Sequence, residues 1–210
     1  MMKVLAGVET LLFKNTTALP TELCITVTNE SSDMPTHMLA VYSRQPSAHP
    51  TRRVKLYPIH NVILALHCAH LPMLPKSTAT EPDSVGQMTL PVVPLCIPSP
   101  ETFSKLSAYL YTKKASWLLS ALLPTGTLTP ASILSLDIDY DSPELRSYQS
   151  KLRSTYHPCT LLMHAVTING LWRNVCALGV FDDKLWEVLD LAWEAIIGAL
   201  DWTEGSSDEE

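Results

Sequence analysis

The stretch that decides the fold is IPSPETFSKLSAYLYT, residues 97–112. It opens with helix-start signals, because Ser99 can accept a bond from a free amide, Pro100 has its φ already set, and Glu101 meets the positive helix end. Apolar residues then recur at three- and four-residue steps, the period of a buried helical stripe. They are Phe103, Leu106, Tyr109 and Leu110. The stretch therefore predicts a core helix capped by Ser99.

A second apolar stretch, LYPIHNVILALHCAHL, occupies residues 56–71. A short strand that includes Leu56 leads through His60 into an apolar helix. Alternating apolar and polar residues predict two further strands, at 23–28 and 38–43. Together these segments predict a small sheet combined with helices.

The order of strand, histidine, helix, variable loop, strand and capped helix resembles the BTB/POZ interaction domains. In this resemblance His60 matches the motif's histidine. The two helix cores match at Val62, Leu64, Ala65, Phe103, Leu106, Tyr109 and Tyr111. The resemblance implies an α+β fold in which a BTB/POZ-like small sheet is flanked by helices, with additional C-terminal helices. It also implies a single domain over residues 1–203, with N-terminal and C-terminal extensions.

Two strings, LPVVPLCIPSP at residues 90–100 and NGLWRNVCALGVFDDKLW at 169–186, resemble the clampless family of basidiomycete fungi. That family is linked to clamp-cell formation and to development controlled by mating type. The resemblance implies a non-enzymatic regulator that acts through protein partners, such as transcription factors, in the nucleus, the cytoplasm or both. The BTB/POZ likeness leaves two alternatives open, a substrate adaptor for ubiquitin ligation and self-association as a homodimer.

Composition limits the remaining function classes. The chain has 210 residues, 46% of them hydrophobic, which is enough to bury a core. A net charge of −6 without a basic face argues against direct contact with nucleic acid. No apolar run approaches the roughly 20 residues that cross a bilayer, so we expect no membrane contact. The acidic tail at 204–210 lacks apolar residues and is predicted to be disordered.

Motifs for catalysis and cofactor binding are missing from the sequence. It contains no nucleophile elbow, phosphate-cradling glycine loop or dinucleotide fingerprint, so we expect neither an enzyme nor a cofactor. His60, His67 and His70 nevertheless carry the imidazoles that bind zinc, which leaves a metal-dependent hydrolase as an alternative. A histidine beside a buried helix is more often held by hydrogen bonds, so no metal site is predicted.

The last third of the chain predicts helices. Asn169 and Gly170 interrupt the apolar stretch 159–178, which predicts two helices that meet there, and Gly179 suits a left-handed helix end. Asp182 is predicted to cap the next helix.

Acidic residues on this last helix form the candidate partner-binding site. At 100° per residue they fall within an arc of about 60°, with no lysine or arginine interleaved. They are Glu187, Asp190, Glu194 and Asp201, named here the acidic stripe. Trp186 and Trp193 lie on the remaining circumference and are predicted to be buried. The stripe predicts docking against a basic partner protein.

Overall fold

The computed structural model describes residues 10–13, 19–26, 34–44, 52–77, 84, 86–124, 133 and 140–201. These residues fall into two compact units. The strand unit holds the described residues up to Lys113 together with Arg173–Phe181, and the helical unit holds those of Lys114–Trp172 and those from Asp182 onward. The described residues include five strands and six α-helices, so the predicted α+β class is confirmed.

The strands are β1 (Thr10–Phe13), β2 (Glu22–Thr26), β3 (His37–Tyr42), β4 (Arg52–Ile59) and β5 (Gln87–Cys96). They form one sheet in the order β1–β4–β3–β5–β2. Neighbours run antiparallel except β3 and β5, which run parallel. A parallel pair cannot be joined by a tight hairpin, so the chain returns through β4 and a helix before it adds β5. The strands predicted near residues 23–28 and 38–43 are confirmed where they are described.

Three prolines lie inside the sheet, where a missing amide normally breaks a ladder. Pro58 pairs with Met38 of β3, beyond the residues of β4 that pair with β1. In β5, Pro91 lies in the half that pairs with β2, and Pro94 lies in the half that pairs with β3. Within the described strands, each proline therefore pairs with one neighbouring strand, so its missing amide affects one ladder.

One face of the sheet carries a hydrophobic core. Every second residue along the central strands points to this face, as the alternation of a strand requires. Its buried members are Met38, Ala40, Val54, Leu56, Met88, Leu90 and Val92.

The predicted core helix is present, but its start differs from the prediction. A 3-10 turn at Pro100–Thr102 precedes α2 (Phe103–Thr112), and the Ser99 side chain makes no capping bond. Instead the amide of Asn174 accepts from Ser99 N at 2.9 Å and donates to Ser99 O at 2.6 Å and to Thr102 Oγ1 at 2.9 Å. The capping role assigned to Ser99 is therefore wrong, because a buried amide 75 residues away holds this helix start.

His60 joins β4 to α1, which spans Asn61–His67. Its backbone N–H donates to Tyr111 Oη of α2 at 2.8 Å, and its Nδ1 lies 3.0 Å from the same oxygen. His60 is buried, and its Nε2 has no partner among the described residues. One hydroxyl thus fastens the start of α1 to the end of α2.

The segment after α1 pairs with the segment around Gly179. Cys68 forms an antiparallel bridge with Val180, and Ala69 N donates to Gly179 O at 3.1 Å. Gly179 has a φ of 61°, so the predicted left-handed helix end is confirmed. A Cβ at this position would lie 2.9 Å from His70 Nδ1, which is a second reason for glycine here.

The remaining helices are α3 (Ala115–Leu122), α4 (Pro143–Thr155), α5 (Pro158–Leu178) and α6 (Asp183–Leu200). α5 is continuous, so the predicted break at Asn169 and Gly170 is wrong. A helical glycine costs about 1 kcal/mol relative to alanine. Buried neighbours such as Ile168 and Leu171 offset that amount, because each apolar side chain gains about 1.5–3 kcal/mol on burial.

Two sequence predictions concern the extent of the chain. The tail at 204–210 lies outside the described residues, and the single domain over 1–203 stays a prediction.

No helix in the described ranges is both long enough and apolar enough to cross a membrane.

Candidate partner-binding surface

The helix that carries the acidic stripe has a fixed beginning. Asp182 Oδ1 accepts from Leu185 N at 3.1 Å, so the predicted cap of α6 is confirmed. One side of the helix is buried in the helical unit. Its buried residues are Leu185, Val188, Leu189, Leu191, Ala192, Ala195, Ile196 and Ala199. The opposite side is therefore held in a single orientation.

The end of α6 is fixed by α4. The Arg153 guanidinium donates to the carbonyls of Ala199 at 3.1 Å, Gly198 at 2.8 Å and Asp201 at 2.7 Å. A cation suits this position, because the last carbonyls of a helix carry partial negative charge. The side-chain amide of Gln149, on α4, lies against Gly198, where a Cβ would displace it.

The structure places most of the acidic stripe in solvent. Asp190, Glu194 and Asp201 are exposed, and Glu187 is half-buried. Lys184, which precedes the stripe, forms an ion pair with Glu187, while the sequence between Glu187 and Asp201 contains no lysine or arginine, as expected. Among the described residues, Asp190 and Glu194 have no cationic partner within 4.0 Å. Their charge is therefore available to a partner.

The pKa of Tyr140 is affected by the negative charges of the acidic stripe. Burial raises the pKa of this tyrosine above its ordinary value of 10.0. Nearby negative charges raise the pKa further, in decreasing order Asp190, Glu194 and Glu187. Three carboxylates thus act on one phenol, which makes this side of the helical unit a coherent negative surface.

A groove adjoins the stripe. It has a volume of about 240 Å³ and is lined by Ile168, Asn169, Trp172, Leu189, Asp190 and Trp193, named here the tryptophan groove. Trp172 is 44% exposed and Trp193 is 37% exposed, so the predicted burial of Trp193 is wrong. Trp186 is half-buried and meets Trp172 edge to face at 6.5 Å.

Sequence reasoning did not assign Asn169 or Trp172 to this site. Ile168 and Trp172 are four residues apart and so share a face of α5, which is the signal that could have placed them together. The predicted break at Asn169 placed Ile168 and Trp172 on different helices. Only a continuous helix brings these two residues onto one face.

The histidines of the metal alternative are not gathered into a site. His60 bonds to Tyr111, His67 Nδ1 lies 3.2 Å from Lys113 Nζ, and the two histidines stand at opposite ends of α1. Among the described residues, no three side chains of histidine, cysteine, aspartate or glutamate could hold a metal ion together. The described positions therefore do not support the hydrolase alternative.

Fold and surface together define an α+β protein with a candidate binding surface on its last described helix. Comparison with known families gives a more specific assignment. Residues 1–98 match the N-terminal domain of Clampless protein 1, and residues 116–210 match its C-terminal domain. The chain therefore belongs to the clampless protein family, as its sequence strings implied.

Two curated relatives agree with this assignment. Clampless protein 1 from two strains of Cryptococcus neoformans var. neoformans serotype D, JEC21 and B-3501A, is 31% identical over 131 residues. The match covers 62% of this chain but only 24% of each relative. No solved structure matches the chain significantly.

Proposed function

We propose that this chain is a non-enzymatic adaptor that joins regulatory proteins during clamp formation in fungal sexual development. The family supports the developmental setting, because its relatives bear the name Clampless protein 1. The observation that carries the adaptor role is the pair of exposed carboxylates on α6, Asp190 and Glu194, which have no cationic partner among the described residues. They stand beside exposed indoles on a helix that is fixed at both ends.

The chemistry of this surface defines the class of partner. Carboxylates in water attract cationic surfaces and accelerate encounter with them. Tryptophans at the centre of a contact contribute a large share of binding free energy. We therefore expect a basic partner protein, and transcription factors fit because their DNA-binding surfaces are cationic. Such a complex would form in the nucleus, in the cytoplasm or in both.

The strand unit supports a BTB/POZ-like core as part of the same proposal. The order of β4, His60, α1, β5 and α2 follows the strand, histidine, helix, strand and helix of that pattern. His60 and Tyr111, both matched to the pattern, bond to each other.

A homodimer stays a prediction, and light scattering of the purified chain would test it.

The experiment is proximity labelling in mating hyphae with the chain fused to a labelling enzyme. Changing Glu194→Lys and Asp201→Lys reverses two exposed charges without touching the tryptophan groove. The matched control changes Glu22→Lys and Glu144→Lys, which are exposed and cause the same change in net charge.

We expect the first variant to lose labelling of its basic partners by about tenfold, because rim charges set the rate of encounter. The control should label as the wild type does. Equal labelling by all three proteins would contradict a partner-binding role for the stripe.

A further inference from the structure

The tryptophan groove combines apolar side chains with two polar ones, so it differs from the purely charged acidic stripe. Most of its lining is apolar, yet Asp190 and Asn169 contribute a carboxylate and an amide to the same space. Its volume of about 240 Å³ lies below the roughly 300–1,000 Å³ of pockets for drug-sized ligands. The groove is therefore of a size for one long side chain.

The negative charges beside the tryptophan groove restrict which chemical group can bind in it. Asp190 lies in the groove and has no cationic partner among the described residues, while Glu194 follows one helical turn later. An anion would be repelled here, and a purely apolar group would remove the carboxylate from water without replacing its hydrogen bonds. The occupant must therefore carry positive charge.

The two indoles favour one kind of cation. The face of a tryptophan ring is negative and attracts cations that lie over it. A guanidinium is flat, weakly hydrated and presents several donors in a fork, so it stacks on an indole and bonds to a carboxylate at the same time. A lysine ammonium is compact and strongly hydrated, and it gains less from a flat ring.

We propose that the tryptophan groove binds an arginine side chain of a partner protein. The guanidinium lies against Trp172 and Trp193 and donates to the Asp190 carboxylate, while Asn169 Oδ1 accepts a further bond. This inference rests on the proposed adaptor function and adds the residue that is recognised. It gives the partner an arginine anchor in addition to overall basic charge.

The test is a titration of the full chain, labelled with 5-fluorotryptophan and followed by fluorine NMR. The probe is acetyl-arginine amide, and acetyl-citrulline amide is its uncharged control of the same shape. We expect the signals of Trp172 and Trp193 to shift saturably with the arginine probe. The citrulline probe should bind about tenfold more weakly, because it lacks the charge that both the ring and the carboxylate attract.

Variants locate the site. Asp190→Asn should weaken arginine binding about tenfold while it keeps the size of the side chain. Trp193→Phe keeps an aromatic ring in case Trp193→Ala disturbs folding, and both should weaken binding. Trp117→Ala is the control, since this tryptophan is 43% exposed on α3 and lies outside the groove.

Three results would overturn the inference. They are no saturable shift with the arginine probe, equal binding of the citrulline probe, and unchanged binding in Asp190→Asn. Acetyl-lysine amide, titrated in the same way, should bind more weakly than the arginine probe, and equal binding would overturn the assignment of a guanidinium. The adaptor proposal is tested separately, because the Glu194→Lys, Asp201→Lys variant leaves the groove intact and is read out by labelling in cells.

Discussion

The strand unit and the helical unit stabilise their helix ends with different kinds of side chain, one buried and neutral and the other exposed and charged. In the strand unit, Asn174 holds the start of α2 with a neutral amide that is 0% exposed. In the helical unit, Arg153 holds the end of α6 with a charged group that is exposed. A buried polar group that loses its partner costs more than an exposed one, because water cannot replace the lost bonds. The same kind of contact therefore contributes differently to stability in the two units.

The comparison also separates stability from binding. Buried polar groups such as His60 and Asn174 belong to the strand unit. The helical unit instead exposes two tryptophans on the fixed helix α6 and its neighbour α5, together with carboxylates that have no cationic partner in the described ranges. We therefore expect substitutions in the strand unit to change the free energy of unfolding, and those on the α6 surface to change affinity.

The largest effect is expected at Asn174. Asn174→Ala removes three hydrogen bonds and leaves Ser99 N without its acceptor, although Thr102 Oγ1 still donates to Ser99 O. This should reduce the free energy of unfolding by about 3 kcal/mol. Chemical denaturation measures this loss. Asn169→Ala is the matched control on the same helix, because Asn169 is exposed and should change stability by less than about 0.5 kcal/mol. Equal losses in the two variants would refute the contrast between buried and exposed sites.

A smaller loss is expected at Tyr111. Tyr111→Phe removes the hydroxyl that bonds to His60 N and Nδ1, and should lower the free energy of unfolding by about 2 kcal/mol. Tyr156→Phe in the helical unit is the control, because it should not lower the free energy of unfolding. Its buried hydroxyl has no partner in the described part of the chain, so its removal should be neutral or stabilising. A loss at Tyr156 as large as that at Tyr111 would contradict this account.

Arg153 should contribute less. Arg153→Met keeps much of the stem but removes the bonds to the carbonyls of Gly198, Ala199 and Asp201, with an expected loss of about 1 kcal/mol. Hydrogen exchange should accelerate in the last turn of α6. Arg146→Met tests specificity, because Arg146 pairs only weakly, at 3.6 Å, with the exposed Asp141. If exchange in the last turn of α6 is unchanged, Arg153 does not hold that end.

The smallest effect at neutral pH is expected at Cys68. Burial raises the pKa of its thiol from 9.0 to about 11, and the positive charge of Lys113 lowers it by a smaller amount. The folded state thus binds this proton more tightly than the unfolded state does. Its stabilising contribution is complete below pH 9 and is lost as the pH rises toward 11.

The measurement is the pH dependence of unfolding. Cys68→Ala should flatten the decrease in stability between about pH 9 and 11, even though it also changes packing at every pH. Cys24→Ala is the control, since Cys24 is exposed. An unchanged slope in Cys68→Ala would show that this thiol has no part in the decrease.

Local patterns predicted much of the fold. The apolar steps of α2, the run from β4 through His60 into α1, and the Asp182 cap of α6 are all present. Each depends on residues within a few positions of one another, so the sequence alone could reveal them. The side-chain cap at Ser99 failed because Asn174, far along the chain, supplies the bonds instead.

The candidate site was predicted in part. The spacing of acids on α6 correctly indicated an exposed negative face at Asp190, Glu194 and Asp201. The ion pair of Glu187 with Lys184, the exposure of Trp193 and the groove beside it were missed. Whether a tryptophan is buried depends on which helix packs over it, and helical spacing does not contain that information.

The sequence by itself determined the class of fold, the helix end at Gly179, the beginning of α6 at Asp182 and the charge of α6, because these follow from short-range periodicity and capping. Tertiary structure decided that α5 continues through Gly170, that Asn174 holds α2, and that α5 and α6 enclose a groove between them. These features depend on burial and on contacts between distant segments, whose free energies exceed the local preferences that a sequence displays.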